Sequence, residues 1–182
     1  MQWLPNLLTI VRILLTPLII HDILDGHCTV AMPFAWIAGA TDALDGYLAR
    51  KMGAESRVGA WLDPIADKAL LTGMYLSFGI SGLTPMWLAW LVVGRDALIL
   101  AMSAAGLAFT SIRDFPPSIW GKLSTVVQIC VSLLILAACN GTQWANRLSV
   151  WAVWAVAVTA VWSGLHYLVR AFLVLRYTRQ KV

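Results

Sequence analysis

Charge is what this 182-residue chain has least of: Lys, Arg, Asp and Glu together make up 12% of it, about half their share in an ordinary soluble domain. That scarcity excludes a disordered chain, a coiled coil and a soluble globular enzyme. Cysteine is scarce as well. Cys28, Cys130 and Cys139 form no close-spaced pair, so neither a disulfide framework nor a zinc site is expected, and the three thiols read as reduced and buried. The opening MQWLPN has no basic stretch, and no small-residue cleavage site follows the first apolar run, which argues against a cleaved signal or transit peptide. Strict apolar–polar alternation is missing too, so an outer-membrane barrel is not expected. No internal repeat is visible.

What fills the chain is apolar: 60% of residues are hydrophobic and the mean hydropathy is +0.77. A bilayer-spanning helix needs about 20 apolar residues, so about six of them use about 120 and leave no room for a separate soluble domain. Six spans can be drawn, at about 7–24, 29–49, 58–80, 85–109, 119–139 and 148–175, separated by short Gly-, Pro- or charge-bearing connections. The expectation is an all-α, polytopic integral membrane protein with six transmembrane helices and one domain over 1–182. Arg50, Lys51, Arg57, Arg113, Lys122, Arg176, Arg179 and Lys181 fall on one set of connections and the C-terminal tail, against Arg147 alone on the other. This bias puts both termini in the cytoplasm, as in a bacterial inner-membrane protein. The net charge of +4 then reports orientation and anionic lipid contact, with no nucleic acid implied. Trp3, Trp87, Trp120 and Trp144 lie near span ends, where indoles favour the headgroup layer, whereas Trp151, Trp154 and Trp162 lie deeper and are expected to pack.

Charges inside apolar spans cost about 2.5 to 3.5 kcal/mol each on insertion scales, so each needs a reason. Late in the second span, Asp42 and Asp45 are three apart; early in the third, Asp63 and Asp67 are four apart. Each pair shares a helix face, and the intervening turn brings both pairs below the same cytoplasmic surface. Four facing carboxylates need compensation, and two divalent cations that prefer hard oxygen ligands would supply it. Gly46 and Gly59 leave room beside the pairs, and Arg50 stands at the mouth, where a guanidinium can meet a phosphate. The plainer reading of any single aspartate is an ion pair with Arg50 or Lys68, or, for Asp63 before Pro64, a capped kink. A small ion channel or transporter would also explain buried carboxylates.

Residues 42–67 read D-A-L-D-G-Y-L-A-R, eight residues, then G-A-W-L-D-P-I-A-D. The stretch resembles the full signature of the CDP-alcohol phosphatidyltransferases, D-x2-D-G-x2-A-R-x8-G-x3-D-x3-D, at every fixed position. Six spans with cytoplasmic termini resemble the family too. The resemblance implies an enzyme that transfers a phosphatidyl group from CDP-diacylglycerol to an alcohol and releases CMP. It implies that Asp42, Asp45, Asp63 and Asp67 hold two Mg²⁺ or Mn²⁺ ions and that Asp67 also takes the proton of the attacking alcohol. Gly46, Arg50, Ser56 and Gly59 would line the CDP-diacylglycerol site. Asn6 and Thr9, in N-L-L-T-I-V-R, would face the nucleotide, as in the glycerophospholipid-synthase branch; otherwise Asn6 is a helix N-cap and Arg12 a snorkelling cation. A homodimer is common in the family, and small residues such as Gly39 are compatible with one.

The acceptor is less constrained. Arg95, Arg113 and Lys122 are its candidate contacts. Arg95 and Asp96 are adjacent, about 100° apart on a helix, so a mutual pair is not expected and Arg95 is read as pointing into the polar cavity. Arg113 and Lys122 could equally anchor to lipid headgroups. The G-R-D at 94–96 resembles the cardiolipin synthase branch, which uses phosphatidylglycerol. Ser124 stands where the phosphatidylglycerophosphate synthase branch, which uses glycerol-3-phosphate, more often has a second lysine. Phosphatidylglycerol is therefore the expected acceptor and glycerol-3-phosphate the alternative.

Overall fold

The computed structural model describes the backbone of residues 3–52, 59–109 and 119–179, and within these the side chains of 9–41, 66–102 and 119–170. The described residues form helices only: α1 (Trp3–Leu24), α2 (Cys28–Met52), α3 (Gly59–Ile80), α4 (Met86–Phe109), α5 (Ile119–Cys139) and α6 (Gln143–Arg179). Five of the six expected spans match within a few residues; α6 is longer, starting five residues before the expected Leu148 and ending four after Leu175. Pro17 and Pro33 lie inside α1 and α2 on their exposed faces, and a helix in a membrane tolerates such a proline where local adjustment and nearby polar groups satisfy the freed carbonyl.

Helices α1, α3 and α5 end in the same way. After α1, the His27 amide donates to Asp22 O at 2.8 Å and the Gly26 amide to Ile23 O at 3.2 Å. Gly26 has φ of 75°, the left-handed conformation that lets the chain satisfy the last carbonyls and leave the helix within three residues. Gly82 and Gly141 close the turns after α3 and α5 with the same pair of bonds. His21 lies in the last turn of α1, 3.5 Å from Asp25 Oδ2.

α1 packs against α2 and α3; α3 against α4 and α5; α5 against α2 and α6; and α4 against α6. Cys28, Ala31, Ala35 and Ala38 form a buried stripe of small side chains on α2, at the three-and-four spacing that lets a helix backbone come close. Tyr75 and Phe78 of α3 fill the centre, fully buried and edge to face with centroids 6.0 Å apart. The Tyr75 hydroxyl donates to the Gln128 carbonyl of α5 at 3.0 Å.

The outer surface is apolar. Among the described residues, Ile119–Cys139 and Gln143–Arg170 are long and apolar enough to cross a membrane. Trp151, Trp154 and Trp162, expected to pack, instead face outward, Trp151 being 75% exposed. Trp154 touches Trp87, and Trp162 touches Trp120, on that outer face. An indole on an apolar exterior is in favourable surroundings when hydrocarbon is the solvent.

A second expectation fails at the turns. Cys28 and Cys139 are joined in a disulfide across 111 residues of sequence, and the remaining thiol, Cys130, is exposed. Cys28 is the first residue of α2 and Cys139 the last of α5, so helix packing brings together two residues whose spacing carries no signal. Asn140 reinforces this corner by donating to Cys28 O at 3.3 Å.

Candidate active site

The candidate carboxylates occupy the far ends of α2 and α3 from the disulfide. Asp42, Asp45, Gly46 and Arg50 lie in the second half of α2, and Gly59, Asp63 and Asp67 in the first half of α3. The side chains of Asn6, Asp42, Asp45, Arg50 and Asp63, and the surroundings of Gly46 and Gly59, lie outside the described residues, as do Ser56 and Arg113 altogether. Asp67 is described, and it has a specific partner. Arg12 of α1 points inward, 1% exposed, and its Nη1 donates to Asp67 Oδ1. Arg12 is therefore an internal cation facing the signature, in place of the snorkelling side chain its position in the first span allows. Thr9, one turn earlier, is also 1% exposed.

Arg12 and Asp67 border a partly open cavity of about 60 Å³ lined by α1, α2, α3 and α5. Ala35, Ala38 and Gly39 contribute the α2 wall, Leu70, Leu71 and Met74 the α3 wall, and Thr125 and Ser132 two hydroxyls from α5. Helical spacing continues both walls in one direction. Beyond Gly39 the next register positions on α2 are Asp42 and Asp45–Gly46; before Asp67 on α3 comes Asp63. Two helix faces that line one cavity thus extend into carboxylates at the same end. Hard oxygen donors are the right chemistry for Mg²⁺ or Mn²⁺. Among the described residues alone there is no group of three metal-ligating side chains.

A second polar cluster lies on the other side of α3. Lys68 Nζ is 2.7 Å from Asp96 Oδ1 of α4. Arg95 Nη1 donates to the same oxygen at 2.6 Å, so the adjacent pair that helical geometry disfavours does form: the long arginine side chain bends back to its neighbour. Arg95 Nη2 also donates to Gly121 O of α5 at 3.1 Å and to Ser163 Oγ of α6 at 2.8 Å. Arg95 and Asp96 are 6% and 4% exposed, while Arg95 Nε and Asp96 Oδ2 are buried without a hydrogen-bond partner. Of the other candidate acceptor contacts, Lys122 is exposed on the first turn of α5, one residue from Gly121. Ser124 is fully buried and accepts from Gln128 Nε2 at 3.4 Å.

Sequence reasoning missed Lys68 as the partner of Asp96, Ser163 as a partner of Arg95, and Arg12 as the partner of Asp67. A usable signal existed for the first: an adjacent acid and base in each of two packed helices, at 67–68 and 95–96.

Known proteins resemble this chain over nearly its whole length. The sequence model of the CDP-alcohol phosphatidyltransferases matches residues 2–162. A probable cardiolipin synthase (CMP-forming) of Drosophila melanogaster is 36% identical over 170 residues, 90% of this chain and 52% of the relative. The cardiolipin synthase (CMP-forming) of Rattus norvegicus is 38% identical over 154 residues, 74% of this chain and 50% of the relative. A probable phosphatidylglycerophosphate synthase of Mycobacterium tuberculosis (strain ATCC 25618 / H37Rv) is 32% identical over 174 residues, 92% of this chain and 81% of the relative. The chain thus spans about half the length of the two animal relatives.

Proposed function

The chain belongs to the CDP-alcohol phosphatidyltransferase family, and on that premise we propose that it transfers the phosphatidyl group of CDP-diacylglycerol to an alcohol acceptor with release of CMP. The observation that carries this reading is the complete signature borne on α2 and α3, with Asp67 bordering a cavity among four helices and engaged by a buried arginine. Asp67 accepts the proton of the acceptor hydroxyl, whose oxygen bonds to the phosphatidyl phosphorus as the bond from that phosphorus to CMP breaks. Arg12 fixes one oxygen of Asp67 and offsets its charge, so the carboxylate is oriented before the acceptor arrives. Gly46, Gly59, Asn6, Thr9, Arg50 and Ser56 receive the cytidine and diphosphate part of the donor. Two divalent cations, Mg²⁺ or Mn²⁺, on Asp42, Asp45, Asp63 and Asp67 would neutralise the diphosphate and stabilise the departing CMP.

The acceptor is phosphatidylglycerol and the product cardiolipin. Arg95, Arg113 and Lys122 are the candidate cations of α4, α5 and the connection between them, and Ser124 adds none. A lipid acceptor with one negative charge and its own acyl chains needs fewer fixed cations than a phosphate dianion. The animal relatives named as cardiolipin synthases support this reading. The mycobacterial relative, of which the chain covers 81%, favours the second one, transfer to glycerol-3-phosphate. All six helices cross the membrane as a single domain, 1–182, with both termini and the active site at the cytoplasmic side of a bacterial inner membrane, and the protein works as a homodimer.

The test is an acceptor comparison with detergent-solubilised protein and labelled CDP-diacylglycerol. Metal-dependent CMP release, faster with phosphatidylglycerol than with glycerol-3-phosphate, is expected. Transfer to glycerol-3-phosphate with none to phosphatidylglycerol selects the second reading. No CMP release with either acceptor, in the presence of Mg²⁺ or Mn²⁺, removes the proposed activity.

A further inference from the structure

We propose that Lys68 is a positioning residue for the carboxylates of α3, fixing the rotation of that helix about its own axis through the ion pair with Asp96; this rests on the reading of Asp63 and Asp67 as members of the transfer site. Asp67 and Lys68 are consecutive, so their side chains leave α3 about 100° apart. Asp67 is engaged by Arg12 of α1. Lys68 is engaged by Asp96 of α4, at 2.7 Å. Helix α3 packs against both partners, so neighbouring residues are drawn toward different helices. One such tether leaves a helix able to roll about it, whereas two at a wide angle hold its azimuth.

The anchor of the second tether is itself fixed. Asp96 is bonded to Arg95 at 2.6 Å, and Arg95 reaches the Gly121 carbonyl of α5 and the Ser163 hydroxyl of α6. Lys68 therefore joins α3 to a junction of three other helices. The geometric stake is large. A side-chain atom on a helix lies about 5–6 Å from the axis, so a roll of about 20° moves it by about 2 Å. That is a whole metal–oxygen bond, and workable metal sites hold their ligand distances to about 0.2 Å.

Charge balance does not explain Lys68. The buried Asp96 carboxylate already has Arg95 as a counter-ion, and an additional ammonium, 32% exposed, is costly to place at mid-span. Removing Lys68 leaves Asp96 paired, so a neutral variant keeps its buried charges compensated. Removing Asp96 instead leaves two cations facing each other.

The experiment compares the wild-type protein with Lys68→Met and Lys68→Arg in three measurements: calorimetric binding of Mn²⁺ alone, steady-state CMP release, and thermal unfolding. Lys68→Met is expected to weaken Mn²⁺ binding and lower kcat, each by about 10–100-fold, the usual range for residues that orient metal ligands. KM for CDP-diacylglycerol is expected to stay close to the wild-type value, and Lys68→Arg, which keeps the ion pair, to restore Mn²⁺ binding. Lys68→Ala is the second neutral variant, read in the same way if Lys68→Met does not fold. Unchanged Mn²⁺ affinity in the neutral variant overturns the proposal. So does a raised KM with unchanged Mn²⁺ affinity, the mark of a direct substrate contact, or a failure of arginine to restore binding. Absence of Mn²⁺ binding by the wild-type protein overturns the metal reading of the aspartates first, and this proposal with it.

Discussion

At one end of the bundle the helices are tied by bonds that carry no net charge inside the protein. Cys28 and Cys139 are covalently joined, Asn140 caps the Cys28 carbonyl, Ser81 donates to Ile23 O at 3.1 Å, and three glycine-closed turns finish α1, α3 and α5. Toward the other end the ties described are ionic: Arg12 to Asp67 and Lys68 to Asp96, the latter backed by Arg95. Both sets of ties fix helix positions, but only the second uses groups that a phosphate or a cation can also engage. A donor carrying a diphosphate needs charge that is compensated inside the bundle, whereas at the turn end the described pair, His21 with Asp25, is exposed. On the proposed reading, the difference separates the part of the molecule that determines where the helices stand from the part that does chemistry.

The comparison breaks most sharply at the aspartates. Asp42→Asn, Asp45→Asn and Asp63→Asn are each expected to abolish detectable CMP release and to weaken Mn²⁺ binding, because each removes a charged oxygen from the proposed shared site. Asp67→Asn is expected to lower kcat by about 10²–10⁴, the contribution of a positioned general base, with a smaller effect on Mn²⁺ binding. Near wild-type turnover in that variant would remove Asp67 from the role of base.

Arg12→Leu comes next. It leaves the Asp67 carboxylate without its guanidinium, and CMP release is expected to fall by about 10–100-fold, as for other residues that orient a ligand. Stability is expected to fall by about 1–3 kcal/mol, below the range for a fully buried pair because the Asp67 side chain is 40% exposed. A variant with full activity and an unchanged unfolding midpoint would show that the ion pair orients nothing.

Changes at the turn end are expected to reverse the pattern. Cys28→Ser or Cys139→Ser lowers the thermal midpoint, and so does reductant with the wild-type protein, while CMP release stays within about twofold of the starting value. Loss of a native disulfide costs about 2–5 kcal/mol in small soluble domains, and less is expected here, where unfolded helices stay in the bilayer. Activity that falls in step with the midpoint would erase the distinction between the ends. The smallest effect belongs to cysteines introduced as topological markers in a background free of Cys28, Cys130 and Cys139. Arg57→Cys and Gln143→Cys are expected to leave activity unaltered and to react with an impermeant thiol reagent from opposite sides of sealed vesicles. Gln143 is preferred to Gly141, whose φ of 80° disfavours a side chain. A reaction of both from one side overturns the orientation and leaves the chemistry intact.

Helix number and most helix ends were legible in the sequence because the signal is local: long apolar runs broken by glycine, proline and charge. The sidedness of tryptophan was not. Trp151, Trp154 and Trp162 lie deep in the sixth span, and in a chain surrounded by hydrocarbon depth says nothing about whether a ring faces protein or lipid. The proposed site is legible as a pattern on α2 and α3, since D-x2-D and D-x3-D fix faces through helical period alone. Its supports are not. Arg12 reads equally well as an internal partner or a cation stretched to the interface until α1 is seen packed against α3. The Arg95–Asp96 pair was excluded by measuring angles at the helix surface, which ignores the reach of a four-bond arginine side chain. Cys28 and Cys139 are joined by tertiary packing alone, which no spacing rule encodes.

The bond between Cys28 and Cys139 also gives the molecule a covalent topology. It closes a ring containing α2, α3, α4 and α5, so both aspartate pairs and the whole Lys68–Asp96–Arg95 chain lie on one closed loop. A single peptide-bond cut at 53–58 or 110–118 opens that loop without dividing the molecule, and the nicked protein migrates as one species until it is reduced. Helices α1 and α6 hang outside the ring as single-ended arms. Arg12 and Ser163, which those arms contribute, are thus the members of the two polar clusters that can withdraw while the ring stays closed.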